Sequence, residues 1–166
     1  MLDPRWDSKE SLLTSIKELV KKASGRIHQL GRSDCFEIQI EGKDPLLLAL
    51  KETGKDRPPH EEAQTSWIGV PEQLLDRLKE LIEQKIKLDV YFLLIDHWDK
   101  HLVVITSKEA LGTMFKRDRK GTNTNFSFDV KKTLSSYSVQ TRRGEPDIPV
   151  QHIDTLEPLI PLIQKA

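Results

Sequence analysis

The amino-acid sequence predicts an α+β fold: a mixed, mostly antiparallel sheet built from hairpins, with amphipathic helices packed on it. Three observations lead there. Strand-like segments come in closely linked pairs, 35–40 with 46–50 and 89–96 with 101–106. Two segments, about 8–23 and 71–85, carry apolar residues at helical spacing. The order of elements also lacks the strict strand–helix alternation of a dinucleotide-binding fold.

Taken in order, Asp7 is placed to cap a first helix, with Glu10 three residues on in capping-box spacing. Leu12, Leu13, Ile16, Leu19 and Val20 then make one apolar face, and Gly25 is a natural stop. In Cys35–Ile40, Phe36, Ile38 and Ile40 alternate with Glu37 and Gln39, the pattern of a half-buried strand. Residues 41–44 (EGKD) read as a turn into Leu46–Leu50, which is apolar on both faces and so reads as a central strand. Residues 51–66, with Gly54, Pro58 and Pro59, read as an exposed loop. Trp67 and Ile68 suit a short strand. Pro71 opens a second helix whose apolar face is Leu74, Leu75, Leu78, Leu81 and Ile82.

Residues 89–96 (DVYFLLID) and 101–106 (HLVVIT) are the strongest strands, joined by a four-residue connection. Ser107 is placed to cap a short helix to about Phe115. Residues 116–125 (KRDRKGTNTN) form a polar, basic loop, and Phe126–Phe128 and Tyr137–Val139 suit two more strands. Ile153, Leu156, Leu159, Ile160 and Ile163 suggest a last helix, broken by Pro158 and Pro161. Neither an internal repeat nor a low-complexity segment is present.

A chain of 166 residues is long enough to bury one core without a staple, and a single domain over 1–166 is expected. One cysteine, Cys35, allows no internal disulfide and no cysteine-based zinc site. Its isolation at the start of a strand suits a small buried side chain better than a nucleophile. No apolar run is long enough for a bilayer span, so no membrane partner is expected. The charged first nine residues lack the apolar stretch of a signal peptide, which makes the cytoplasm the default location.

Net charge is zero, yet unevenly spread. Residues 1–99 hold 15 Lys and Arg against 19 Asp and Glu, whereas residues 100–150 hold 10 against 5. In the basic part, Lys116, Arg117, Arg119 and Lys120 lie in one loop, Lys131 and Lys132 between the late strands, and Arg142 and Arg143 just past the last of them. Such a set neutralises phosphates, and Thr122, Asn123, Thr124 and Asn125 add hydrogen-bonding side chains. The competing reading is a solvated basic rim.

Other motifs weigh less. The sequence has no glycine-rich phosphate loop, no Gly-x-Ser-x-Gly and no His-Glu-x-x-His. His97 and His101 flank a turn beside Asp96 and Asp99; a solvated turn accounts for them better than a metal site. Asp34, Glu41 and Lys43 have the composition of a Mg²⁺-dependent nuclease site, in which two carboxylates hold the metal and a lysine two residues past the glutamate lies near the attacking water. Against it, 13 glutamates and 17 lysines in 166 residues give about one Glu-x-Lys triplet by chance. Gly42 makes 41–43 turn-like, and Asp34 lies on the same strand as Glu41 rather than on a second one.

The succession DVYFLLIDHWDKHLVVITSKEAL, then a polar loop, then NFSF and YSV, resembles the later part of small restriction-endonuclease-like and DNA-restriction accessory domains, over about residues 89–140. The resemblance implies a DNA-recognition part of a defence or DNA-processing system, either a nuclease or a non-cleaving relative. The leading expectation is thus a domain that contacts DNA or RNA, with no cofactor unless the Mg²⁺ site exists. Its rival is a protein-interaction or assembly module that uses Trp6, Trp67 and Trp98 as binding anchors.

Overall fold

The first helix, α1 (Lys9–Lys22), forms where the apolar spacing places it, and it buries Leu12, Ile16 and Val20. Its cap is Ser8, whose hydroxyl accepts from the Ser11 amide at 3.1 Å, so Asp7 lies one residue outside the helix. At the other end Ser24 takes a left-handed φ of 55°. The Gly25 amide then donates to Val20 O at 2.9 Å, closing the last turn. Gly25 is needed for space rather than for φ, since a Cβ there would lie 2.2 Å from Ile40 Cδ1.

The computed structural model describes residues 2–53, 64–87, 89–107, 109, 127–133, 136–139 and 147–164, with backbone alone for 64–69, 127–129, 131 and 133. After α1 come β1 (Arg26–Gln29), β2 (Cys35–Gln39), β3 (Leu46–Glu52), β4 (Gln64–Gly69), α2 (Glu72–Glu83), β5 (Asp89–Asp96) and β6 (His101–Ile105). The later elements are β7 (Ser127–Thr133), β8 (Ser136–Val139), β9 (Ile148–Pro149), β10 (His152–Ile153) and the single turn α3 (Ile160–Ile163).

Six strands make the main sheet in the order β1-β2-β3-β5-β6-β10. Both expected hairpins are present: β2 pairs antiparallel with β3, and β5 with β6. The parallel neighbours are β3 and β5, in register from Leu46↔Asp89 to Glu52↔Ile95, with β4 and α2 in the crossover. The fold is α+β with a mixed, mostly antiparallel sheet, as the sequence predicts. The late strands depart from the single-sheet expectation. Together with β4 they form a second sheet of four, in the order β4-β7-β8-β9.

Strand alternation divides the core in two. Phe36, Ile38, Leu48, Leu50, Leu93, Ile95 and Val104 face α1, joined by Leu156, Leu159 and Ile163 of the C-terminal segment. Cys35, Leu47, Ala49, Phe92, Leu94 and Val103 share the other cluster with Leu74, Leu78 and Leu81 of α2 and with Val130, Tyr137 and Val139 of the second sheet. The first sheet is therefore covered by helix on one face and by helix plus sheet on the other.

Thr106 and Glu109 are hydrogen-bonded to each other just after β6. The Glu109 carboxylate accepts from the Thr106 amide (2.7 Å) and hydroxyl (3.0 Å). Ser107, expected as a helix cap, instead binds β5: its Oγ accepts from Val90 N and donates to Val90 O. Residues 108 and 110–115 of the expected short helix lie outside the described residues.

Candidate functional site

The expected nuclease triad is not assembled. Asp34 precedes β2, whereas Glu41 and Lys43 sit in the turn after it, and five strand residues separate them. At about 3.3 Å per residue, that puts the two ends roughly 20 Å apart. Asp34 is ion-paired with Lys9 of α1 at 2.8 Å. The Lys43 ammonium donates to Pro161 O at 2.6 Å and to Gln164 O, capping the last turn of α3. Glu41 is exposed. The strand facing the Asp34 end offers Ala49 and Leu50, with Leu50 N donating to Asp34 O at 2.8 Å. Among the described residues, no three His, Cys, Asp or Glu side chains converge as a metal would require.

Cys35 is fully buried, and burial pushes its thiol up to about 11, so it stays protonated at neutral pH. His97 and His101 do not join either. His97 Nε2 lies 3.4 Å from Glu52 Oε2, whereas His101 Nδ1 lies 2.7 Å from Asp154 Oδ2.

Of the basic set, Lys116, Arg117, Arg119, Lys120, Arg142 and Arg143 lie outside the described residues. Lys131 and Lys132 are within β7 rather than between the late strands. Lys132 is engaged: its ammonium is 2.7 Å from Asp99 and lies over the Tyr137 ring, 5.7 Å from the centroid. It is therefore a tie between the sheets rather than an open phosphate contact.

That tie is part of a polar cluster at the β5–β6 turn. The Asp96 carboxylate is 3% exposed, accepts from Tyr137 Oη at 2.5 Å, and accepts from the Trp98 and Asp99 amides at 2.9 and 3.4 Å. Burial first, then the hydrogen bond to Asp96, holds the Tyr137 phenol far above its usual range, so it serves as a donor. The Asp154 carboxylate is fixed by the Leu102 amide at 2.8 Å and holds the His101 imidazole. The His101 ring meets Tyr137 edge-on at 6.1 Å between centroids. β7 and β8 are thus clasped to the end of β5 through Tyr137–Asp96 and Lys132–Asp99.

A second polar lock ties α2 to the main sheet. Glu37, 1% exposed, takes Arg77 Nε at 2.5 Å and Nη2 at 3.2 Å, and Gln39 Nε2 at 2.6 Å. Burial pushes the Glu37 carboxyl up, but the hydrogen bonds from Arg77 and Gln39 outweigh it, and the group titrates below its usual 4.5. Both clusters escape sequence reading because their partners lie about 40 residues apart. The one available signal was a carboxylate placed on, or ending, an otherwise apolar strand, as with Glu37 and Asp96.

Of the proposed anchors, Trp98 holds its indole N–H buried, with no hydrogen-bond partner among the described residues. Trp67 has no described side chain. Trp6 lines an open groove with Leu19, Leu156 and Ile160. Comparison with protein-family models, curated proteins and solved structures finds no match to this chain. No described helix is long and apolar enough to cross a membrane.

Proposed function

We propose that this chain is a nucleic-acid-contacting domain whose basic surface gathers at one end of the second sheet. The observation that carries the reading is the β7–β8 pairing. Because Val130 pairs with Val139 in antiparallel register, β8 ends toward the same end of the pair at which β7 begins, three residues in from Ser127. Lys116–Lys120 enters β7 seven residues ahead of Ser127, and Arg142 and Arg143 leave β8 three and four residues past Val139. In the sequence, six cations from two separate clusters thus flank the same two-strand unit, one cluster ahead of β7 and one after β8, which supports a shared basic surface. Lys and Arg groups so gathered release counterions from a phosphate backbone. The resemblance to restriction-endonuclease-like and accessory domains falls on the same strands and supports DNA as one target. A non-cleaving role toward DNA fits the separation of Asp34 from Glu41 and Lys43. A cytoplasmic setting belongs to this reading.

Mobility shifts with duplex DNA, single-stranded DNA and RNA over a salt series test it. The expected result is binding at low salt with a steep negative slope of log affinity against log salt. Absence of binding to all three at low salt would overturn it. The assembly-module reading keeps one observation in its favour, the groove at Trp6. Light scattering that finds a monomer, with nucleic-acid binding intact, would remove it.

A further inference from the structure

We propose that His101 is a general base for cleavage of RNA, with Asp154 as its positioning residue; this rests on the nucleic-acid reading and goes beyond it. Three observations converge on His101. Asp154 Oδ2 accepts from Nδ1–H at 2.7 Å, which fixes the tautomer and leaves the Nε2 lone pair directed away from the carboxylate. The second Asp154 oxygen is held by the Leu102 amide at 2.8 Å, and the Asp154 amide donates to Leu102 O at 2.8 Å, so the orienting group is itself fixed by β6. Both side chains are about a third exposed, 34% each, which leaves the imidazole within reach of a substrate.

The backbone there is strained. Among the described residues, four non-glycine residues have left-handed φ, and two of them are here: Lys100 at 61°, next to His101, and Asp154 at 57°. Backbone of this kind persists where the surrounding structure imposes it, and it concentrates at functional sites. Asp154 and the Tyr137 ring of β8 meet the imidazole directly, Asp96 at the end of β5 pairs across from His101, and Lys132 of β7 and Asp99 of the β5–β6 turn lie beside Tyr137. Asp96 and Asp99 are already engaged by Tyr137 and Lys132, so His101 is left to Asp154.

An oriented imidazole acts most readily on a hydroxyl already held beside its electrophile, and RNA supplies one in each 2′-OH. In the step, Nε2 takes the 2′-OH proton and the 2′-oxygen attacks the adjacent phosphorus. The P–O5′ bond breaks, and the leaving 5′-oxygen takes a proton from water. The products are a 2′,3′-cyclic phosphate and a 5′-hydroxyl, with no change of oxidation state. The imidazolium then returns its proton to solvent.

The test uses the full chain and a 5′-labelled single-stranded RNA in EDTA, with binding and cleavage measured together. The expected products are a 2′,3′-cyclic phosphate and a 5′-hydroxyl. His101→Ala lowers the rate by about 10²–10⁴-fold, the usual contribution of a general base, without loss of RNA affinity. Asp154→Asn lowers it by at least about 10²-fold and changes the pH profile, which a merely structural role would not do. Should His101→Ala fail to fold, His101→Gln and an RNA carrying a single 2′-deoxy residue at the cut site replace it; the deoxy RNA should bind and remain whole. RNA bound but uncut, or cut at wild-type rate by the His101 variant, overturns the inference and leaves the binding reading standing. No binding to any nucleic acid overturns both.

Discussion

The two faces of the six-stranded sheet are covered in different ways. Toward α1 the described core is apolar apart from the Tyr91 phenol, with Leu12, Ile16 and Val20 set against Phe36, Leu48 and Leu93. Toward α2 and the second sheet, apolar packing is interrupted by Glu37–Arg77, Tyr137–Asp96 and Lys132–Asp99. An apolar face holds its cover by area and tolerates small shifts. Buried carboxylates hold their cover in one position, because a displaced partner leaves a desolvated charge. The face that carries the basic strands is therefore the one whose cover is fixed by directional bonds.

Substitutions on the two faces should separate these modes, the largest effect first. Leu12→Ala, at a fully buried site on the apolar face, should cost about 4 kcal/mol by urea unfolding. Glu37→Ala should cost about 3 kcal/mol, near the bottom of the range for broken buried pairs, because Arg77 is a quarter exposed and keeps Glu80. The double change Glu37→Leu with Arg77→Met should recover most of that loss; failure to recover would mean the pair itself supplies stability rather than orientation. Tyr137→Phe removes one donor from the buried Asp96 and should cost about 1–3 kcal/mol, with faster amide exchange in β8. The Lys132–Asp99 coupling, measured by a double-mutant cycle, should be smallest, about 1 kcal/mol.

The polar face should also set the acid limit. The folded-state value for Glu37 lies below its usual 4.5, so the folded protein binds that proton less readily than the unfolded chain. Its contribution is present above about pH 4.5 and is lost as pH falls through the folded value. Glu37→Gln should flatten stability against pH in that acid window, read by urea unfolding from pH 7 to 3; an unchanged acid slope would contradict the assignment.

The same contrast explains what could be read from the sequence. The α1 face was legible because Leu12, Ile16 and Val20, and Phe36 with Ile38, repeat at the periods of helix and strand. The hairpins β2–β3 and β5–β6 followed from short turns between such runs. β1 was not legible: Arg26–Gln29 is an edge strand with three of four residues exposed, so no apolar alternation marks it. The second sheet was missed because β4 and β7 pair across some 60 residues, and nothing local specifies Gln64↔Lys132. The candidate site was half legible. Asp96, His97, Asp99 and His101 were visible as a polar turn, but Tyr137 and Asp154, which decide what that turn does, come from 41 and 53 residues away. The Glu-x-Lys triplet was legible and led to a turn and a helix cap, because spacing alone does not say which strand end a residue occupies.

The central claim, that nucleic acid is met at the basic end of the second sheet, is tested most directly by comparing two charge-removal variants. One replaces Lys116, Arg117, Arg119, Lys120, Arg142 and Arg143 with Gln; the other replaces Lys17, Lys21 and Lys22, all exposed on α1. The measurement is the slope of log affinity against log salt for a duplex and a single strand. The first variant should bind more weakly and lose roughly 0.7–0.9 of slope for each phosphate contact removed, while the second keeps the wild-type slope. Equal losses from both variants, or no change in the first, would contradict the account.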